Sequence, residues 1–481
     1  MDFYNLFSTN FELLLPEIFL ITSIIGLILY GSIVISSNYI LTYYTNKISL
    51  CIVGIMLILT CNTYFFNYNY EFFNYNFIIL IKSIIILSVF CCIIFSENST
   101  FQYFEFSFLI LLSLIGFLLI TLSFDLILLY IAIEIQSISF YILSCLKKNS
   151  AFSTEAGLKY FILGALASGF FLFGCSLIYG ITGTINFNEL TNIFISFNDQ
   201  PLIIIASLFI LVSIFFKLSV APFHIWTPDV YEGSPTIVTA FFSITPKLGI
   251  FIILNKFFNE IFYDLSNLIS WWIFFGVICS FISIYIGSIT ALKQTRLKRL
   301  LAYSSIGHVG YMLVGFFSGN IEGIQAVFFY LILYIITNIC IWGSILSINK
   351  IKFISELKNV YIINPFLCCT LILSFFSLAG IPPLVGFLSK LSIFIAAFES
   401  NLYVIIILSI ILSIISTFYY LRMVKILIFE KTLNYNFIKN KNYFSKLISY
   451  IISFTFISLF LLFIFPLPLS LFTYYLSLYC F

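Results

Sequence analysis

The chain has 481 residues, 62% hydrophobic and 9% charged, a net charge of +3 and a mean hydropathy of +1.14. No water-soluble fold has interior enough to hide that apolar surface, so the chain belongs in a bilayer. A charge so small and dispersed offers nucleic acid no basic face.

The first stretch, MDFYNLFSTNFELLLPEIFL, carries the acids Asp2, Glu12 and Glu17 and no basic region. It is unlike a secretory signal or an Arg-rich transit peptide, and the expectation is insertion where the chain is made. From there, apolar runs long enough to cross a bilayer recur for about 14 spans. Their centres lie near Ile24, Met56, Ile85, Leu112, Glu134, Phe170, Ser213, Lys247, Ile282, Val309, Tyr334, Ile381, Ile410 and Phe456. The expected class is an all-α polytopic membrane protein, a single integral membrane domain over 1–481. Spans one to three fill 1–100, spans four to eight 101–260, spans nine to thirteen 265–430, and a final span lies in 440–481.

Lysine and arginine cluster after odd-numbered spans: Lys147 and Lys148, then Lys293, Arg296, Lys298 and Arg299, then Lys350, Lys352 and Lys358, then Lys431, Lys439 and Lys441. Even loops carry Glu189, Asp199, Glu260, Asp264, Glu322 and Glu399, with Lys256 as their one nearby cation. The positive-inside rule therefore puts the N-terminus outside and the Lys-rich loops inside. Loops three and seven, with only Glu97 and with Asp229 and Glu232, weaken that rule without reversing it.

Two apolar segments are too long for a straight crossing. Unbroken helices over Pro201–Tyr231 and Pro365–Glu399 would run roughly 45 to 50 Å against a hydrocarbon core of about 30 Å. Breakers stand inside both: Pro222 and Pro228 in the first, Gly380, Pro382, Pro383 and Gly386 in the second. These are spans seven and twelve, five apart and entered from opposite sides, as two inverted five-helix repeats of spans four to eight and nine to thirteen would require. Two unrelated proline-kinked helices would give the same breaks.

Four ionisable residues lie deep in spans: Glu134, Lys217, Lys247 and Lys390. Unpaired, they would cost about 2.5 to 3.5 kcal/mol each, so something must compensate. Glu134 and Lys217 are the natural opposite-charge pair. For the other lysines, hydroxyls of Ser243, Thr245 and Ser389 and carbonyls released by Pro222, Pro246 and Pro383 are available, and broken helices admit water. A carboxylate approaching or leaving such a lysine changes whether it holds its proton, which is the chemistry of a proton relay. Lys159, four residues after Glu155, fits an i,i+4 edge pair as well as a relay; Lys82 reads as snorkelling from a span end, and Asp125 as interfacial.

His224 lies among the breakers of span seven and His308 in span ten; each fits a satisfied core position or a proton path. Two histidines cannot ligate the two haems of a cytochrome b. The eleven cysteines show no CxxC spacing, and no GxGxxG or Walker A pattern occurs. No metal, nucleotide or redox cofactor is expected on this chain.

The stretch FKLSVAPFHIWTPDVYEGSPTIVTAFFSITPKLGIF, with EAGLKYFILGALASG, RLLAYSSIGHVGYMLVG and LAGIPPLVGFLSKLSIF in the same order, resembles the proton-translocating antiporter-like membrane proteins. Among these it is most similar to the subunit 2 branch of mitochondrial NADH dehydrogenase (ubiquinone), respiratory complex I. The resemblance spans roughly 120 to 430. It implies a proton-translocating role for Glu134, Lys217, Lys247, Lys390 and Lys159, helped by His224 and His308, with helix breaks at Pro222, Pro246, Pro382 and Pro383. Lysine at 390, and a chain ending soon after span fourteen, point to the subunit 2 branch over its sister subunits. FMN, iron–sulfur clusters, NADH and ubiquinone are then expected on other subunits, and the partners are other core membrane-arm subunits including antiporter-like ones, accessory subunits and lipids. The implied location is the mitochondrial inner membrane, N-terminus in the intermembrane space and Lys-rich loops in the matrix; a bacterial plasma-membrane protein would carry the same pattern. Free-standing Mrp-type cation/proton antiport and a purely structural scaffold are the competing readings.

Overall fold

The structure is a computed structural model that describes residues 3–33, 38–67, 73–98, 103–196, 201–262, 266–348, 351–430 and 445–478. Asp2, Asp199, Asp264, Lys350, Lys431, Lys439 and Lys441, used above for orientation, lie outside the described residues, as do the side chains of Glu12 and Glu260. The described residues form helices without a β-strand. Three come first: α1 (Phe3–Ile33), α2 (Asn38–Asn67) and α3 (Phe73–Phe95). Then follow α4 (Glu105–Leu122), α5 (Leu126–Ser144), α6 (Ala151–Thr182), the short α7 (Phe187–Ser196), α8 (Pro201–Leu218), α9 (Trp226–Gly233) and α10 (Thr236–Asn255). The second series is α11 (Ser266–Leu292), α12 (Leu297–Phe316), α13 (Ile321–Ser347), the one-turn α14 (Val360–Ile363), α15 (Pro365–Ala379), α16 (Val385–Glu399) and α17 (Tyr403–Ile428). The chain closes with α18 (Lys446–Ile464) and α19 (Leu467–Leu478).

Twelve of these helices are long and apolar enough to cross a membrane. The polar α12 and the broken pair α15 and α16 complete the fourteen crossings expected from the sequence. Outward faces are oily, with Phe152, Ile162, Ile414, Phe418 and Phe454 exposed, as lipid contact requires. At the centre α10 is buried along its length, between α3, α4, α8 and α13.

The two series repeat one plan. A Cβ on Gly116 of α4 would lie 2.9 Å from the Ala132 carbonyl and from Gln136 of α5; one on Gly287 of α11 would lie 2.9 Å from the Tyr303 carbonyl and 2.6 Å from Gly307 N of α12. Gly116, Ala132 and Gln136 map to Gly287, Tyr303 and Gly307 at one constant offset. The same offset carries Asp125, which bridges Asn186, onto Arg296, which bridges Phe353. Those two bridges join opposite ends of the bundle, as inversion demands.

Both overlong spans break where proline stands. After α8, the Ser219 and Val220 amides donate to Phe216 O (3.0 Å) and Phe215 O (2.9 Å); after α15, the Gly380 and Ile381 amides donate to Ser377 O (3.0 Å) and Phe376 O (3.1 Å). Ser219 (φ 63°) and Gly380 (φ 82°) are both left-handed, three residues before the cis prolines Pro222 and Pro383. Pro246 is a correction: α10 runs helically through it. A proline interior to a helix removes one backbone bond and strains one turn, and here the helical backbone continues past it. The final span, centred near Phe456, is α18, and non-helical Phe465 and Pro466 separate it from the short α19.

Candidate functional site

The buried charges lie along the middle of the bundle, carried by helices that turn inward because their polar residues cannot face lipid. Glu134 on α5 accepts a hydrogen bond from its neighbour Ser137 (3.0 Å). Its other oxygen, Oε1, and the Lys217 ammonium at the end of α8 are buried without a hydrogen-bond partner. The expected Glu134–Lys217 contact pair is therefore not formed. Lys217 instead lies 5.7 Å from the Tyr141 ring centre. It also borders two small cavities. Gln136 lines both, and the second also reaches Lys247, Tyr160, Trp226 and Tyr231.

Lys247 finds partners other than Ser243 and Thr245, whose hydroxyls are engaged with Ala240 O (2.8 Å) and Ser88 (3.3 Å). Its ammonium donates to Tyr334 Oη at 2.7 Å and to Ser305 O at 3.4 Å, and lies 4.3 Å from the Tyr334 ring centre. His308 is joined on both ring nitrogens: Nδ1 is 2.7 Å from Tyr330 Oη and Nε2 is 2.8 Å from Tyr420 Oη. A neutral imidazole donates at one and accepts at the other, so this triad can carry a proton in either direction. The His308 ring is 5.5 Å, centre to centre, from that of Tyr334.

Lys390 donates to Ala379 O at 2.8 Å. Pro383 has no N–H for that carbonyl, so the breaker does release an acceptor for the lysine, as the sequence suggested. Ser389 is not the partner; it donates to Gly386 O at 2.9 Å. Gly380 is required beside it: a Cβ there would lie 3.0 Å from Lys390 Cδ on a left-handed backbone. Lys390 also lies 5.3 Å from the Tyr311 ring centre. Lys217 and Lys247 thus line one cavity in the first repeat, and His308 of the second lies beside the Tyr334 that holds Lys247.

Lys159 and His224 stand apart from these residues. Lys159 lies 2.7 Å from Glu155 and 2.9 Å from Asp229, and Asp229 lies 3.0 Å from Arg299. Arg299 is 3.3 Å from Glu232, which also meets Arg296. Asp229 and Glu232 are therefore paired residues of α9, and neutralised acids give no counterweight to the basic loops. His224 lies half-buried in the break between α8 and α9, and no hydrogen bond joins its ring to Lys217 or Lys247 among the described residues.

Lys82 does not snorkel: it is buried on α3 and lies 2.6 Å from the buried Glu17 of α1. Lys256, read as a loop cation, is buried and donates to the carbonyls of Ile120 (2.9 Å), Thr121 (2.9 Å) and Ser123 (2.8 Å), capping the C-terminus of α4. Sequence reasoning passed over Tyr330, Tyr334 and Tyr420. Among the described residues no cluster of three or more His, Cys, Asp or Glu could hold a metal.

A family model described as NADH:quinone oxidoreductase/Mrp antiporter, transmembrane, matches residues 123–416. NADH-ubiquinone oxidoreductase chain 2 of Marchantia polymorpha is 40% identical over 98% of this chain and 99% of its own length. NADH-quinone oxidoreductase subunit N of Paramagnetospirillum magneticum is 41% identical over 66% of each chain. A chain of respiratory complex I from Thermus thermophilus shares the fold with a TM-score of 0.79 and 27% identity, over 94% of this chain and 97% of that one.

Proposed function

The chain belongs to the NADH:quinone oxidoreductase/Mrp antiporter transmembrane family, and from that premise we propose that it is a core membrane subunit of complex I that moves protons along a path from Lys217 to Lys390. One observation carries the reading: Lys217 and Lys247, on different helices of the bundle interior, line one small cavity. From Lys247 the path continues through Tyr334 to the His308 triad and Lys390. A cavity with room for a water, lined by the two ammonium groups and Ser219, suits a bridging water between lysines that do not touch.

Glu134, beside Lys217 without bonding it, sets the local charge, so its protonation decides how readily Lys217 gives up a proton. Lys159 precedes Tyr160, which lines the same cavity, and His224 lies in the break beside it. The chain itself carries out no redox step. FMN, iron–sulfur clusters, NADH and ubiquinone belong to other subunits of the assembly, and other antiporter-like and accessory subunits and lipids surround this one. The mitochondrial inner membrane, with Lys-rich loops in the matrix, is the proposed location. Identity across nearly the whole chain to chain 2 of NADH-ubiquinone oxidoreductase favours this over Mrp-type antiport, which would give sodium-dependent flux without NADH.

The test is Lys217→Met in the reconstituted parent assembly, with NADH-driven acidification measured beside quinone reduction. Both collapse in an intact complex if the reading holds. Persistence of both at wild-type rates would reduce Lys217 to architecture.

A further inference from the structure

We propose that Asp229 is a positioning residue: its ion pair with Lys159 latches α9 to α6 and so holds Tyr160 against Trp226, closing the Lys217–Lys247 cavity toward the side of the Lys-rich loops. The proposal rests on the channel reading given above.

The two helices meet through contacts in tandem. Lys159 and Tyr160 are consecutive on α6, while Trp226 and Asp229 are three apart on α9, on one face. The polar contact, Lys159 to Asp229 at 2.9 Å, is partly exposed. The aromatic one is buried, with ring centres 4.5 Å apart and planes 11° from parallel, and both rings line the cavity. Parting them would connect the cavity to the partly exposed ion cluster. The Trp226 indole also donates to Phe216 O at 2.9 Å, the residue before Lys217, so displacement of Trp226 is felt at the lysine.

The local construction favours movement of this element. α9 has eight residues, with non-helical chain on both sides. Its far end is pinned, since a Cβ on Gly233 would lie 2.4 Å from Phe152 O, leaving the Trp226 end to swing. The latch is also easily exchanged. Lys159 has a second carboxylate, Glu155, at 2.7 Å, and Asp229 has a second cation, Arg299, at 3.0 Å. Each partner keeps an opposite charge when the two separate, and partly exposed ion pairs are weak.

The experiment uses the intact parent complex carrying Asp229→Asn, Asp229→Glu, Lys159→Met or Arg299→Gln. Hydrogen exchange is followed over residues 219–233, and passive proton leak is followed in proteoliposomes without NADH. Asp229→Asn and Lys159→Met are expected to raise exchange several-fold and to open a leak that an added Lys217→Met removes. Asp229→Glu and Arg299→Gln, which keep the α6 contact, stay near wild type. Unchanged exchange in assembled Asp229→Asn and Lys159→Met complexes overturns the latch, as does a leak that survives Lys217→Met. Raised exchange with no leak supports the latch and counts against the channel, because exchange does not depend on conduction.

Discussion

Glu134 and Lys217, in the first repeat, keep buried polar atoms that no protein group bonds, whereas His308 and Lys390, in the second, are held by tyrosine hydroxyls and a released carbonyl. The backbone plan is shared, so the contrast lies in side chains. At the offset that maps Gly116 onto Gly287, Glu134 and Ser137 fall on Ser305 and His308. Lys247, on the last span of the first repeat, takes both its partners, Ser305 and Tyr334, from the second. A buried polar group without a partner costs about 1 to 3 kcal/mol unless water serves it. Glu134 and Lys217 are therefore the charges that can change partners cheaply, while the His308 and Lys390 sites hold geometry fixed.

That contrast can be broken by stability measurements on assembled complexes. The largest effect is expected from His308→Ala, which strands the hydroxyl of Tyr330 at about 1 to 3 kcal/mol, takes one partner from Tyr420 and lowers the melting temperature. Unchanged melting would mean the second repeat is not held as tightly as its hydrogen bonds suggest. Tyr334→Phe removes one acceptor from Lys247 and leaves Ser305 O, for about 1.5 to 3 kcal/mol, with slower NADH-driven pumping; wild-type pumping would take this hydroxyl out of the path. Glu134→Gln is expected to be smallest in stability, because the protein bonds only one of its oxygens, while pumping collapses. A large fall in melting temperature there would show Glu134 to be structural and reverse the comparison.

The spans and both breaks were legible because lipid demands long apolar runs and proline cannot sustain a helix. The four deep charges stood out for the same reason. Their partners did not. In a chain with 31 tyrosines, nothing local distinguishes Tyr334 or Tyr420 from a ring that merely fills space, and their use depends on contacts between distant helices. Lys82 and Lys256 were misread because distance from a span end says how far a lysine could reach toward water, and not whether Glu17 or the end of α4 lies nearer. Pro246 was misread because a sequence cannot show whether the helical backbone continues past a proline. Asp229 and Glu232 looked like loop acids because α9 has too few residues for a periodic pattern.

Lys256 sets a mechanical limit on all of this. Its ammonium ties the far end of α10 to three carbonyls at the end of α4, so a piston stroke of α10 past α4 would break those three bonds to a buried cation. Lys247 therefore rides on a fixed post. Under the proposed pumping cycle, the parts left free to move are protons, side chains and the short half-helices beside the breaks.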